Sequence, residues 1–257
     1  MNLIERFSLA NSVAIITGSG KGIGRAIAIA YAEAGAKVVC AARTLADVEA
    51  VAQEICSNGG DAIAVACDVT SENDRTALVQ KAIDTFGKIT HLVNNAGGGG
   101  PNDPLQMPWQ EFDRLLNFNV TCPYHLMQLC VPHMREAGGG NILNITSVAA
   151  RYVQPNFSSY GTAKAALVQL TKLLSQDFAP EIRVNAISPG PIMTDALNKV
   201  MPDQVKAIMT ANTPLKRLGE VEDIAAAALY LASPASGWVS GKIIDIDGGA
   251  DVSVFPS

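Results

Sequence analysis

The chain has 257 residues, 48% of them hydrophobic and 17% charged, with a formal net charge of −5. That length and apolar content suffice for a large, well-buried core. The thin, unclustered basic charge argues against a nucleic-acid surface, and no apolar run reaches the roughly 18 residues of a membrane span.

Aromatic residues are only 5% of the chain, while Ala, Val, Ile and Gly abound, which favours helices packed on a buried sheet. Apolar strand-like runs alternate with helix-like runs. Strands are predicted at residues 12–17, 37–42, 62–68, 91–95, 141–146, 183–188 and 242–247. Helices are predicted at 22–34, 46–58, 73–86, 108–135, 160–178 and 221–231, with an irregularity near Pro123. Such alternation implies parallel strands joined by right-handed helical crossovers. The expectation is one α/β doubly wound domain over residues 1–257, with a seven-stranded parallel sheet flanked by helices.

Five cysteines, Cys40, Cys56, Cys67, Cys122 and Cys130, form no Cys-x-x-Cys pair and read as free thiols of a reducing compartment. Met1-Asn2-Leu3-Ile4-Glu5-Arg6 is no signal peptide, so the cytoplasm is expected. His91, His125 and His133 are too scattered to hold a metal, and none is expected.

In a sheet of this kind, ligands sit outside the carboxyl ends of the strands. The unusual residues fall there. Four glycines lie between Gly18 and Gly24 after the first strand, and Arg43 follows the second. Asp68 follows the third, Asn94-Asn95-Ala96-Gly97 the fourth, Ser147 the fifth, and Pro189-Gly190 the sixth. The first turn reads Gly-x-x-x-Gly-x-Gly, not the G-x-G-x-x-G dinucleotide pattern. Its glycines still permit positive φ and close approach of phosphates to a helix N-terminus, so it reads as a nucleotide site.

Tyr160 and Lys164 stand one helical turn apart on one face. A phenol titrates near pH ~10 and is a poor base at neutrality. An ammonium about 4 Å away, at an effective dielectric of ~20, interacts by roughly 4 kcal/mol. That is ample to draw the phenol down by a pH unit or more, since a unit is worth ~1.4 kcal/mol. The pair is expected to move protons near neutrality.

Thr17-Gly18-x-x-x-Gly22-x-Gly24, Asn94-Asn95-Ala96-Gly97, Asn119, Ser147 and Tyr160-x-x-x-Lys164 resemble the short-chain dehydrogenase/reductase superfamily, in order, over the whole chain. The resemblance implies a Rossmann-type fold and hydride transfer between a nicotinamide dinucleotide and a secondary alcohol or ketone. Tyr160 would be the acid/base, Lys164 would lower its pKa and hold the ribose, and Ser147 would steady the substrate oxygen. Asn119 would anchor a water linking Lys164 to solvent. The dinucleotide would lie over Gly18, Ser19, Lys21, Gly22, Ile23 and Gly24. Asp68 and Val69 would meet its adenine, Asn95 the adenosine-side ribose region, and Ile192 to Thr194 the nicotinamide amide and pyrophosphate, with Gly97 also against the cofactor.

An acidic residue after the second strand would accept ribose hydroxyls and repel a 2′-phosphate. This chain has Cys40-Ala41-Ala42-Arg43 there, and Arg43 offers a planar fork for a phosphate, with Lys21 as a second charge. NADP(H) is therefore expected over NAD(H). Within the superfamily, Gly97–Pro101 and Thr194-Asp195-Ala196-Leu197 are similar to bacterial 7α-hydroxysteroid dehydrogenases, implying a bulky apolar steroid substrate. Residues 191–214 are expected to form a lid whose apolar stripe includes Met193, Leu197, Val200, Met201, Ile208 and Met209.

Three alternatives compete. A 3-oxoacyl-carrier-protein reductase would need a basic rim, for which Arg151 is a candidate, while Lys199, Lys206, Lys216 and Arg217 read as solvated charges. A sugar-alcohol dehydrogenase would share the catalytic residues. An idle nucleotide sensor would have no use for the proton relay. The resemblance also implies a homotetramer, with the helices at 108–135 and 160–178 at one interface and residues 242–257 at another.

Overall fold

The computed structural model describes residues 2–194 and 201–254. Seven strands form one sheet: β1 (Val13–Thr17), β2 (Lys37–Ala42), β3 (Asp61–Ala66), β4 (His91–Asn94), β5 (Gly140–Ile145), β6 (Ile182–Pro189) and β7 (Ile243–Ile246). Their order is β3-β2-β1-β4-β5-β6-β7, parallel at every pairing, as the alternation predicts. The chain steps outward from β1 to β2 and β3, then returns to place β4 on the other side of β1. That reversal opens a cleft above the tips of β1 and β4.

The helices are α1 (Gly22–Glu33), α2 (Leu45–Ser57), α3 (Glu72–Phe86), α4 (Trp109–Leu116), α5 (Cys122–Glu136), α6 (Ser158–Asp177), α7 (Asp203–Asn212) and α8 (Val221–Ala232). Strand residues alternate between two cores. Ala14 and Ile16 pack with Ile27, Tyr31, Ala228 and Leu231 of α1 and α8. Ile15 faces the other way, among Leu78 of α3, Leu126 and Met127 of α5, and Leu174 of α6. α3 starts at a capping Ser71, whose Oγ accepts from Asp74 N at 3.2 Å, and stops at Gly87, φ +76°.

The helix expected over 108–135 is two helices. A five-residue π-turn, Asn117–Thr121, separates α4 from α5, and Cys122 N–H donates to Asn117 O across it. The irregularity lies just ahead of Pro123, whose ring nitrogen cannot donate to the preceding turn. The strand expected over 62–68 ends at Ala66, so Asp68 stands on a turn. In the proposed lid, residues 195–200, including Leu197 and Val200, lie outside the described residues. Beyond them α7 buries Met209 against Ala250 and Val254. All five cysteines are free thiols. Among the described residues, no helix is long and apolar enough to cross a membrane.

At the opposite end of the sheet, His91 is buried at the start of β4. Its Nε2 lies 3.1 Å from Ala232 O and its Nδ1 2.8 Å from Thr90 Oγ1. Arg183 donates nearby to Leu231 O at 2.9 Å and Val239 O at 3.1 Å. Burial, with Arg183 alongside, pushes the imidazole down to about 4. The unfolded chain takes up that proton below its ordinary pKa of about 6.5, and the folded chain only near 4. Stability should therefore fall as pH drops through this window, by roughly 3 kcal/mol from this residue. His91→Gln should flatten the pH 7-to-4 loss measured by urea unfolding, relative to wild type. Equal losses in both proteins would refute this account.

Candidate active site

α6 carries Tyr160 and Lys164 on one face, as its 3.6-residue period requires. Lys164 is buried, and its Nζ donates to Ile145 O at 2.9 Å at the tip of β5. Burial lowers the ammonium to about 8. The expected pairing of this ammonium with the phenol is seen as a position over the ring. Nζ sits over the Tyr160 ring, 5.8 Å from its centroid. Burial pushes the Tyr160 phenol above its ordinary value, and only a hydrogen bond with Ser147 opposes the rise. The resting phenol thus holds its proton at neutrality.

Ser147 leaves β5 in an extended conformation and caps a short turn, Val148–Ala150, its Oγ accepting from Ala149 N at 3.1 Å. Asn119, in the π-turn, is buried, and both its amide hydrogens are used. Its Nδ2 donates to Gly98 O at 2.9 Å and Leu115 O at 3.0 Å, while its Oδ1 accepts from Gly98 N at 3.0 Å. The side chain therefore grips the glycine run directly. That run must be glycine where it meets the site: a Cβ on Gly97 would lie 2.8 Å from Asn119 Oδ1 and 3.0 Å from Lys164 Nζ. One on Gly99 would lie 2.6 Å from the Tyr160 ring.

Thr17 welds the two central strand tips. Asn95 N and Ala96 N donate to its Oγ1 at 3.1 and 3.0 Å, and Asn95 Nδ2 donates to Thr17 O at 2.9 Å and Gly18 O at 3.1 Å. Gly18 takes φ +65°, and a Cβ on Gly24 would stand 2.3 Å from Gly18 O. This close turn leads directly into the N-terminus of α1. Ser19 departs from expectation. Fully buried, it accepts from Ala41 N at 2.9 Å, so its hydroxyl anchors the turn to β2 and does not face the cleft.

Two hollows meet at this turn. The larger, about 470 Å³, is lined by Gly22, Ile23, Gly24, Asn95, Ser147, Tyr160, Lys164, Ile192 and Thr194. The smaller, about 250 Å³, is lined by Gly18, Lys21, Arg43, Asp68, Val69 and Phe118, and Gly97 borders both. Lys21 is not a free charge: its Nζ pairs with Asp47 at 2.8 Å. Asp68 accepts from Thr70 N at 2.9 Å and Thr70 Oγ1 at 2.8 Å.

Sequence reading missed the far wall of the larger hollow. Tyr152, Gln154 and Phe157 come from the loop before α6, and Ala250, Ser253 and Val254 from the segment after β7. Tyr152 donates its hydroxyl to Ala250 O, and Arg151 donates to Asp247 Oδ2 at 2.9 Å, tying the two segments together. Three aromatic or amide side chains just ahead of the helix were the available signal. The tail's return across the sheet left no local one. Among the described residues, the lid methionines do not line this hollow, and α7 backs the tail instead.

A family model described as enoyl-(acyl carrier protein) reductase matches residues 18–251. The chain is 46% identical to the 7α-hydroxysteroid dehydrogenase of Escherichia coli over 246 residues, covering 95% of this chain and 96% of that protein. It is 44% identical to an uncharacterized oxidoreductase of Mycobacterium tuberculosis over 249 residues, covering 96% of this chain and 95% of that protein. A solved 7α-hydroxysteroid dehydrogenase, complexed with NADH and 7-oxo glycochenodeoxycholic acid, superposes with a TM-score of 0.94. It is 46% identical, with 97% of this chain and 98% of that one covered.

Proposed function

The chain belongs to the short-chain dehydrogenase/reductase superfamily of nicotinamide-dependent oxidoreductases, and from that membership we infer that it oxidises the 7α-hydroxyl of bile-acid steroids. The carrying observation is that Ser147, Tyr160 and Lys164 share one hollow with an apolar far wall of Phe157, Ala250 and Val254. Its similarity to a dehydrogenase bound to a 7-oxo bile acid supports the same substrate class.

The glycine turn fits a dinucleotide, because side chains on Gly18 and Gly24 would collide with Asn95 and with Gly18 O, so only glycines let the turn close this tightly and bring the N-terminus of α1 to the cleft, where phosphates are favoured. When bound, the nicotinamide supplies the hydride acceptor or donor. The remaining work falls to the chain. Tyr160 passes its proton to a substrate ketone, or takes one from the alcohol. Ser147 hydrogen-bonds the same oxygen and steadies its developing charge. Lys164 lends positive charge in a water-poor setting and holds the ribose. Asn119 fixes Gly98, and through it the loop behind Lys164. The whole chain works as one catalytic unit, with Pro191, Ile192 and Thr194 at the start of the 191–214 segment and the tail set against the steroid.

The acyl-carrier reading is weaker. Arg151 is ringed by Asp245, Asp247 and Asp251 at 3.7, 2.9 and 4.0 Å, and Arg217 pairs with Asp223 at 2.6 Å. Those two rim cations are neutralised within the chain, while Lys199 lies outside the described residues. We place the protein in the cytoplasm as a homotetramer. Tyr124 and Leu173, 39% and 54% exposed on α5 and α6, support one interface, and Val252, 71% exposed within 242–257, supports the other.

NADP(H) is the proposed cofactor. Arg43 is exposed on the smaller hollow, no carboxylate follows β2 directly, and the nearest one there, Asp47, is neutralised by Lys21. The test is a nicotinamide absorbance assay with 7α- and 7β-hydroxy bile acids, acetoacetyl thioesters and sugar alcohols, using both cofactors. Turnover should favour the 7α-hydroxysteroid with NADP(H); preferred reduction of the thioester would overturn the substrate reading. Arg43→Asp should move the NADP(H)-to-NAD(H) ratio of kcat/KM toward NAD(H) by about 10²-fold, or ~2.7 kcal/mol. An unchanged ratio would remove Arg43 as a phosphate ligand.

A further inference from the structure

One buried cation stands outside the machinery above. Arg75, in the first turn of α3, is only 7% exposed. Its Nε donates to His125 Nδ1 on α5 at 2.9 Å, which leaves the imidazole proton on Nε2. A terminal nitrogen donates to Val69 O and lies 3.6 Å from Cys122 Sγ. None of these partners is a carboxylate. A guanidinium taken out of water without a counter-charge carries a heavy desolvation cost. An apolar side chain would suit the neighbouring core of Leu78, Val79 and Leu126 better. A costly group in such a place points to what it holds.

It holds the turn after β3. Asp68 N–H donates to Asp74 at 2.9 Å, and Ser71 N–H donates to Asp68 O at 2.9 Å. Val69 O is the next carbonyl, and Arg75 takes it. Asp68 and Val69 form one wall of the smaller hollow, and Phe118, in the π-turn just before α5, stands in another. Arg75 therefore bridges both walls, with Val69 on one side and Cys122 and His125 on the other.

We propose that Arg75 is a positioning residue for the dinucleotide: by joining the Val69 carbonyl to α5, it sets the width of the hollow that receives the adenine end. The inference rests on the nucleotide reading of that hollow. Arg75→Met keeps the length and removes the donors. It should raise KM for the dinucleotide and the inhibition constant of 5′-AMP by about tenfold, the worth of one hydrogen bond to a charged group. kcat, KM for the alcohol and the affinity for nicotinamide mononucleotide should stay within about twofold, since none of their contacts involves this wall.

Arg75→Lys, able to reach one partner, should recover part of the 5′-AMP affinity. His125→Ala, which leaves Val69 held, should cost about threefold in 5′-AMP affinity. If Arg75→Met does not fold, these two variants carry the test. Unchanged 5′-AMP binding in the folded variants would overturn the proposal. So would equal losses for 5′-AMP, nicotinamide mononucleotide and the alcohol, which mark general loosening. A wild type that binds neither 5′-AMP nor the dinucleotide would instead defeat the nucleotide reading, and this inference with it.

Discussion

Tyr160→Phe is expected to lower kcat/KM for alcohol oxidation by about 10³-fold, within the span that general acid–base catalysis contributes. The ring stays, so its packing against Phe157, with centroids 6.4 Å apart, and against Gly99 is kept. Only the phenol oxygen is lost. Cofactor affinity, read by fluorescence titration, should hold within about twofold, because one hydroxyl is a small part of a dinucleotide's contacts. Burial raises the phenol's pKa, so wild-type oxidation should speed up as pH rises from neutrality, and reduction should slow, as the base form grows at the expense of the acid. A Phe variant that keeps a substantial share of wild-type turnover would sink the assignment.

Lys164→Met should behave differently. It should cut kcat/KM by about 10²-fold or more and also weaken dinucleotide binding, because one buried ammonium serves both the ribose and the charge on the phenol. Lys164→Arg should not rescue it. The Nζ donates to Ile145 O at 2.9 Å as a compact point charge, and a longer planar fork would carry its charge past that position. Single-turnover rates and cofactor titration on both variants separate the two effects. An arginine variant near wild-type activity would show that position 164 needs only a charge, and the need for a compact one would be refuted.

The parallel sheet and the gathering of Ser147, Tyr160 and Lys164 in one hollow were legible because both are written locally. Strand and helix periods show in windows of a dozen residues. Tyr160 and Lys164 share a helix face, and Gly18 to Gly24 mark one turn. What was hidden depends on partners far along the chain. Lys21 looked free until Asp47 was placed 2.8 Å away, and Ser19 looked like a ligand until β2 brought Ala41 N to it at 2.9 Å. Arg75 reads as an ordinary first-turn helix residue until α5 folds over it. The phenol's pKa was misjudged for a related reason. Coulomb attraction can be guessed from spacing, but desolvation depends on everything that surrounds the ring.

The far wall, held by Arg151 and Asp247 across 96 positions of sequence, divides the labour of the molecule. The proposed nucleotide and proton-transfer residues come from β1 through α6, while much of the wall proposed for the steroid comes from two short stretches at 152–157 and 250–254. Mutations can accumulate in those stretches without disturbing the hydride chemistry. Substrate preference can therefore drift between descendants of one ancestor while the reaction itself is inherited intact.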